Sequence, residues 1–353
     1  ELFNEIRRPV LANMLKPMAL KARDLDPTRM ILDESGGWAM GANLFLPNEK
    51  TPVKFNDIHN YPGPNINREK FDGFLTIGNT KEENEKRKLF ARTPGRNVLP
   101  NLPSYVSEIG YGSLPNLEKN EKSFRDKGNP TTYPYLYHLR YNNEIKKALK
   151  KTGLNRIFKK VEDFYKLQQK VHGVANKRMI EAIRSNPNVI GYCVHALTAG
   201  DWIIGAGLLD LWRNPKGDAY YKTKEANQDE LLVIRTNKRN YYVDEKIELE
   251  FIGINEQKKN QVDLEYVITD KKNNVIEEFN LKNLTLNNGV TKLNKKSILR
   301  NLVEGEYQVF AKIKNKNKEI GTSQRKFNVF KRLSNLKKIE VALLSEDKKI
   351  INF

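Results

Sequence analysis

Cysteine is nearly absent, with Cys193 the single one in 353 residues. That excludes an internal disulfide and any metal site built from several thiolates. Histidine is almost as scarce: His59, His138, His172 and His195 are dispersed along the chain, so neither a metal nor a cofactor is expected. No apolar run reaches the roughly 18 residues that a membrane-spanning helix needs, and no membrane partner is expected. The chain begins at Glu1, inside what reads as a strand, so its start carries no information about export. The compartment stays open between the cytoplasm and a periplasmic or secreted location.

Acidic charge is in deficit, because 62 Lys and Arg face 43 Asp and Glu, a formal balance of +19. Such an excess raises nucleic acid as a partner, since cationic side chains neutralise phosphates. The lysines are scattered and interleaved with asparagine, as in Lys312-Ile313-Lys314-Asn315-Lys316-Asn317-Lys318, and no fingerprint of a nucleic-acid-binding module occurs. The charge therefore reads as a solvated face, and nucleic acid is not an expected partner. With 39% hydrophobic and 30% charged residues, the chain is long enough to bury the cores of two domains and part of a third.

What is present begins with Ser104-Tyr105-Val106-Ser107-Glu108-Ile109-Gly110-Tyr111, a β-branched and aromatic run that delivers a carboxylate into a glycine-bounded turn. Leu2-Phe3-Asn4-Glu5 is a second apolar run ending in a carboxylate. Two carboxylates delivered by two strands are what glycoside hydrolysis requires.

Between and after these runs the pattern is that of α/β proteins. Pro9 to Arg23 reads as a helix that Pro17 should kink or divide, and Met30 to Asp33 as a buried strand. Val53 to Tyr61 reads as a strand leading into a polar, aromatic loop that carries His59 and Tyr61, and Asn79 to Asn97 as an exposed loop or short helix. An excursion with Tyr133, Tyr135, Tyr137 and Tyr141 precedes a long helix to about Arg184. Val161, Phe164, Leu167, Val171 and Val174 mark one face of that helix. Val189 to Val194 is the next buried strand. From about 230 the grammar changes: Ile247/Leu249/Phe251, Val262/Leu264/Tyr266 and Tyr307/Val309/Ala311/Ile313 alternate at strand period, predicting an antiparallel sandwich over 230–330. The expected division is 1–216 for the α/β domain, 217–229 as linker, 230–330 as sandwich and 331–353 as the start of a further unit with a strand at Ile339 to Leu344.

The ordered set Asn4-Glu5, Asp26-Pro27-Thr28-Arg29, Asp57-Ile58-His59-Asn60-Tyr61, Ser107-Glu108-Ile109-Gly110, Gly191-Tyr192 and Gly207 to Lys216 resembles glycoside hydrolase family 2. That family holds β-galactosidases, β-glucuronidases and β-mannosidases. The resemblance covers roughly residues 1–330 and implies a partial (β/α)8 TIM barrel, from the end of its fourth strand to its eighth, followed by an immunoglobulin-like β-sandwich. It implies Glu5 as acid/base, Asn4 as its sugar-binding neighbour, Glu108 as nucleophile, and a β-linked carbohydrate as substrate, cleaved by double displacement. His59, Tyr61, Tyr111 and Trp202 become candidate sugar contacts, with Trp38 a further aromatic platform. The strands ending near Asp33, Asp57, Glu108 and Val194 count as the fifth to eighth. The segment His195 to Trp202 departs from the family pattern, and the strands before the fourth have no counterpart in this sequence. The chain is therefore expected to be an internal piece of a longer enzyme, needing the missing amino-terminal part for normal activity.

Two readings compete with catalysis, the nucleic-acid-binding protein set aside above and a protein that only binds. A carbohydrate-binding or scaffold protein would keep the fold without hydrolysis, but such a descendant needs neither carboxylate, and both stand in their motifs. Asn255-Glu256 repeats the Asn4-Glu5 dipeptide inside the sandwich pattern and reads as structural.

Overall fold

The structure is a computed structural model that describes residues 3–5, 9–29, 31–32, 34–36, 42–43, 55–89, 91, 98–128, 130–198, 204–298 and 302–332. Trp38, Trp202 and the strand expected at Ile339 to Leu344 lie outside the described residues.

The first half is a mixed α/β unit. Strand β1 (Phe3–Asn4) runs parallel to β2 (Glu34–Ser35), while β3 (Ala42–Asn43), β4 (Asn56–Asn60), β5 (Ser104–Ile109) and β6 (Val189–Val194) form a second sheet in that order. Within it β4, β5 and β6 are mutually parallel and β3 is antiparallel to β4. Among the described residues these strands do not close into a barrel. Helix α1 (Pro9–Leu25) continues through Pro17 instead of dividing there. Of the strand expected at Met30 to Asp33, the described residues Ile31 and Leu32 are not strand, and β2 at Glu34–Ser35 is what pairs with Phe3–Asn4.

Helices α2 (Arg68–Leu75) and α3 (Lys81–Lys86) each start on a capping side chain: Asn67 accepts from the Lys70 amide, and Thr80 and Glu83 form a reciprocal capping box. The tyrosine-rich excursion folds as α4 (Leu117–Asp126) and α5 (Tyr133–Lys151). Helix α6 (Val161–Arg184) is as long as its periodicity predicts, but only the start of the expected apolar face packs, Val161 and Phe164 against Leu117 and Tyr165. Leu167, Val171 and Val174 are exposed, whereas Gln169, His172, Asn176 and Lys177 are buried. The polar residues go inside because partners await them. Gln169 donates to the Leu114 carbonyl, His172 meets Ser113, Asn176 donates to Thr223, and Lys177 pairs with Glu225. Thr223 and Glu225 belong to α7 (Asp218–Ala226), a helix within the segment read as linker, which packs along α6. Further along, α6 turns Met179, Ile180 and Ile183 into the core.

Strand β6 is half-buried rather than buried, with Ile190 exposed, because it lies at the edge of its sheet among the described residues.

The second half is two stacked sheets. One has the order β12 (Gly289–Ile298), β9 (Ile247–Asn255), β7 (Glu230–Thr236). The other runs β11 (Val275–Leu286), β10 (Asn260–Asp270), β13 (Gly305–Asn315), β14 (Lys318–Phe330), β8 (Asn240–Tyr242). The alternating positions read from sequence, among them Leu249, Phe251, Leu264, Tyr266, Val309 and Ile313, fill the space between them. Strand β7 is apolar on both faces for a physical reason. Leu232 and Ile234 enter the core between the sheets, while Leu231 and Val233 join Phe71, Phe74, Met179 and Ile180 against the helices. The three-stranded sheet is thus a middle layer, sealed to the α/β unit by apolar contact. The Arg235–Asp72 pair at 2.6 Å and the Arg184–Glu256 pair at 2.7 Å add to the seam. Glu256 is therefore an interlayer ion-pair partner, and the buried Asn255 caps a turn by accepting from Gln257 and donating to the Lys258 carbonyl.

Candidate active site

Parallel register brings the site together. His59 on β4 is the partner of Glu108 on β5, so their side chains start from neighbouring positions of one sheet face. Strict alternation would put Glu108 on the face of Val106. A register shift in β5 intervenes: Val106 and Ile109 both enter the helix-side core, and Ser107 and Glu108 are left together on the other face. Residues 56–60, read in part as a loop, are strand, and Asp57 and His59 are wholly buried there.

Glu5 arrives from β1 in a left-handed conformation (φ 50°), its amide donating to the Ser35 carbonyl. Its Oε1 lies 3.0 Å from His59 Nδ1, and Glu108 Oε2 lies 3.3 Å from the same nitrogen. One donor atom each of Glu5, His59 and Glu108 fall within 4.8 Å of one another. Both carboxylates keep contact with solvent, with side-chain exposures of 41% and 25%.

The imidazole is fixed from behind. Ser35 Oγ lies 2.6 Å from His59 Nε2 and 3.0 Å from Ser107 Oγ. Because Nδ1 faces two acceptor oxygens, it carries the ring proton when both carboxylates are ionised, and Nε2 then accepts from Ser35. Asp57 closes the network, its Oδ2 accepting from the Gly36 amide at 2.7 Å. Burial raises the Asp57 carboxyl above its ordinary value, against the lowering effect of the Ser107 and Gly36 hydrogen bonds.

Tyr61 donates its phenol to Glu108 Oε2 at 2.6 Å. Burial raises that phenol's pKa, and the hydrogen bond to Glu108 raises it further. The Tyr61 ring also meets His195 edge-on at 6.3 Å. Of the remaining expected contacts, Asn4 is exposed on β1 beside Ser35. Tyr111 is turned away into packing, edge-on to His172 at 6.0 Å. Trp202 lies outside the described residues.

The loop following Glu108 is anchored by Lys216, buried, whose Nζ donates to the carbonyls of Ser113 at 2.5 Å and of Gly205 and Ala206 at 3.2 Å. Sequence reading missed Ser35, Gly36, Asp57 and Ser107 as parts of the site. Gly36 was readable only through geometry: at φ +60° it packs so closely that a Cβ would lie 2.1 Å from His59 Nδ1.

Two carboxylates at the ends of different strands approach one buried histidine, an arrangement of the residue types that acid/base or nucleophilic chemistry uses. Their donor spacing with His59 also suits a single cation. No family model matches the chain, and no curated protein matches it. Solved structures do resemble it, among them a β-D-mannosidase, β-glucuronidases and an exo-chitosanase, and some are described as members of glycoside hydrolase family 2. The β-D-mannosidase of Dictyoglomus thermophilum aligns over 75% of this chain and 29% of its own at 17% identity and a TM-score of 0.45. The exo-chitosanase of Amycolatopsis orientalis aligns over 46% of this chain and 19% of its own, at 13% identity and a TM-score of 0.35. The β-glucuronidase of Parabacteroides merdae covers 28% of this chain and 13% of its own, at 15% identity and a TM-score of 0.22. The chain thus spans under a third of the length of each of these proteins. No helix among the described residues is long and apolar enough to cross a membrane.

Proposed function

We propose that this chain carries the catalytic pair of a retaining β-glycosidase, with Glu108 as nucleophile and Glu5 as acid/base. The observation that supports it is the approach of the two carboxylates, one oxygen of each lying within 4.8 Å of the other, too close for an interposed water of the inverting kind. Retaining enzymes hold their carboxyl groups about 5–5.5 Å apart, whereas inverting enzymes leave room for a water at about 6.5–9.5 Å.

In this reading Glu5 protonates the glycosidic oxygen as Glu108 attacks the anomeric carbon, giving a covalent glycosyl-enzyme. Glu5 then takes a proton from the water that releases the sugar. Tyr61 and His59 both approach Oε2 of Glu108. That leaves Oε1 to form the bond, with the carboxylate oriented by the other oxygen. Asn4 and Tyr61 are the proposed sugar contacts, while His59, wholly buried, orients the two carboxylates. In the same reading the parallel strands belong to a (β/α)8 barrel and the stacked sheets form an immunoglobulin-like sandwich. The domain limits are then 1–216 and 230–330, with α7 joining them.

Kinetics of Glu108→Ala and Glu5→Ala on an aryl β-glycoside test the roles. Both lose turnover, and azide restores it with opposite stereochemistry: an α-glycosyl azide from Glu108→Ala and a β-glycosyl azide from Glu5→Ala. Products of the same anomeric configuration from both variants would reject the assignment.

A further inference from the structure

A polar cavity lies away from the carboxylates in the fold. It opens where α2 ends at Leu75 and at Ser185, the residue that caps α6, beside β7, β9 and β12 of the middle sheet, with a volume of 540 Å³. The chain enters β6 just after Ser185, so this is the amino-terminal end of the parallel strands, opposite the end that carries Glu108.

Its walls are cationic: among the described residues Arg68, Lys86, Arg87, Lys88, Arg235 and Lys292 line it, against Glu248 and Glu250. The acids are largely committed. Glu250 accepts from Arg235 at 2.8 Å and pairs with Lys292 at 3.0 Å, and Asp72 beneath the wall pairs with Arg235 at 2.6 Å. Glu248 pairs with Lys246 at 3.3 Å. Arg87 is held loosely, by the carbonyl of Leu75 at 3.4 Å and the side-chain oxygen of Asn79 at 3.5 Å. A guanidinium has five N–H donors, and among the described residues both of these bonds use Nη1 of Arg87, leaving Nε and Nη2 for a ligand. Loss of solvent and then the neighbouring Arg235 charge hold Arg87 below its ordinary pKa. Like charges brought that close are relieved when an anion sits between them.

We propose that this cavity is a binding site for a phosphate or sulfate group, taken up free or as the ester of a sugar, with Arg87, Lys86 and Lys88 as its principal ligands. A planar guanidinium meets two oxyanion oxygens at once, and the adjacent ammonium groups add charge without demanding a fixed geometry. The volume exceeds what a bare ion fills, leaving space for one sugar ring. The proposal does not depend on the glycosidase reading.

Isothermal titration of the whole chain at low ionic strength, with sodium phosphate, sodium sulfate, glucose 6-phosphate, glucose 6-sulfate and uncharged glucose, tests it. At least one anion binds, glucose does not, and affinity falls by about tenfold for each cation removed in Arg87→Gln and in the Arg87→Gln/Lys88→Gln pair. Tighter binding of the esters than of the free ions identifies a sugar ester as the ligand; equal binding identifies the free ion. An unchanged thermal midpoint in the variants shows that they fold, and Lys86→Gln provides an independent reading. Absence of binding by all four anions, or binding that the substitutions leave unchanged, overturns the proposal.

Discussion

Gly36 presses its backbone against the ring of His59, leaving 2.1 Å between the place of an absent Cβ and Nδ1. The glycine also sits at φ +60°, where other residues are strained. Its amide is the group that Asp57 accepts from, so the same contact fixes the carboxylate behind the imidazole. Substituting Gly36→Ala should destabilise the fold by roughly 2–4 kcal/mol, from conformational strain and overpacking together. It should also push His59 away from Glu5 and Glu108, so turnover falls by more than the loss of folded protein explains. Urea unfolding alongside kinetics separates the two effects.

Tyr61→Phe removes the phenol that donates to Glu108 without removing the ring that meets His195. A hydrogen bond to a charged group is worth about 1.5–3 kcal/mol, which corresponds to roughly ten- to hundredfold in kcat/KM if it is made in the transition state. The expected signature is a lower kcat with KM little changed, measured on an aryl β-glycoside.

The seam between the α/β unit and the middle sheet should report on Arg235. Its guanidinium binds both Asp72, whose side chain is 3% exposed, and Glu250. Arg235→Met leaves the buried Asp72 with only Arg68, at 3.4 Å. The expected cost is about 3–5 kcal/mol in urea unfolding, with partial recovery in Arg235→Met/Asp72→Leu.

His172 gives the fold an acid limit. Burial, and secondarily Lys216, lower its pKa from 6.5 to about 3. The unfolded chain therefore binds the proton more readily than the folded one between about pH 3 and 6.5. Stability rises with pH across that window, is lost on acidification through it, and does not change on this account above 6.5. His172→Gln should flatten the dependence, as followed by thermal midpoints in a pH series.

The two-part architecture and the carboxylate pair could be read from the sequence because each rests on a local pattern. Alternation at Leu249/Phe251 and Val309/Ile313 sets the stacked sheets, and Asn4-Glu5 and Ser107-Glu108-Ile109-Gly110 mark the strand ends. What escaped was set by partners distant in sequence. The apolar stripe Leu167/Val171/Val174 pointed to the wrong face of α6, because the buried polar face is satisfied by Ser113, Leu114, Thr223 and Glu225. Tyr111 packs on His172 for the same kind of reason. The register shift that aligns Ser107 and Glu108 with His59 leaves no mark in the composition of β5. Asp57 and His59 look like loop residues because they are polar, yet they are wholly buried in β4, His59 held by Ser35 and Asp57 by the Gly36 amide.

If Glu5, His59 and Glu108 instead gathered around a cation, a chelator would abolish activity and added divalent metal would restore it. The glycosidase reading predicts that whatever turnover an aryl β-glycoside shows is unchanged by exhaustive chelation, because Glu5 and Glu108 perform the proton transfer and the attack themselves.

The measurement that tests the central claim most directly is mass spectrometry of the protein after incubation with activated 2-deoxy-2-fluoro β-glycosides of galactose, glucuronic acid and mannose. Slow hydrolysis of the fluorinated intermediate should leave one sugar attached, and peptide sequencing should place it on Glu108, with no label in Glu108→Gln. A label on Glu5 or on any other residue, or turnover of the parent glycoside with inversion of configuration, would contradict the account.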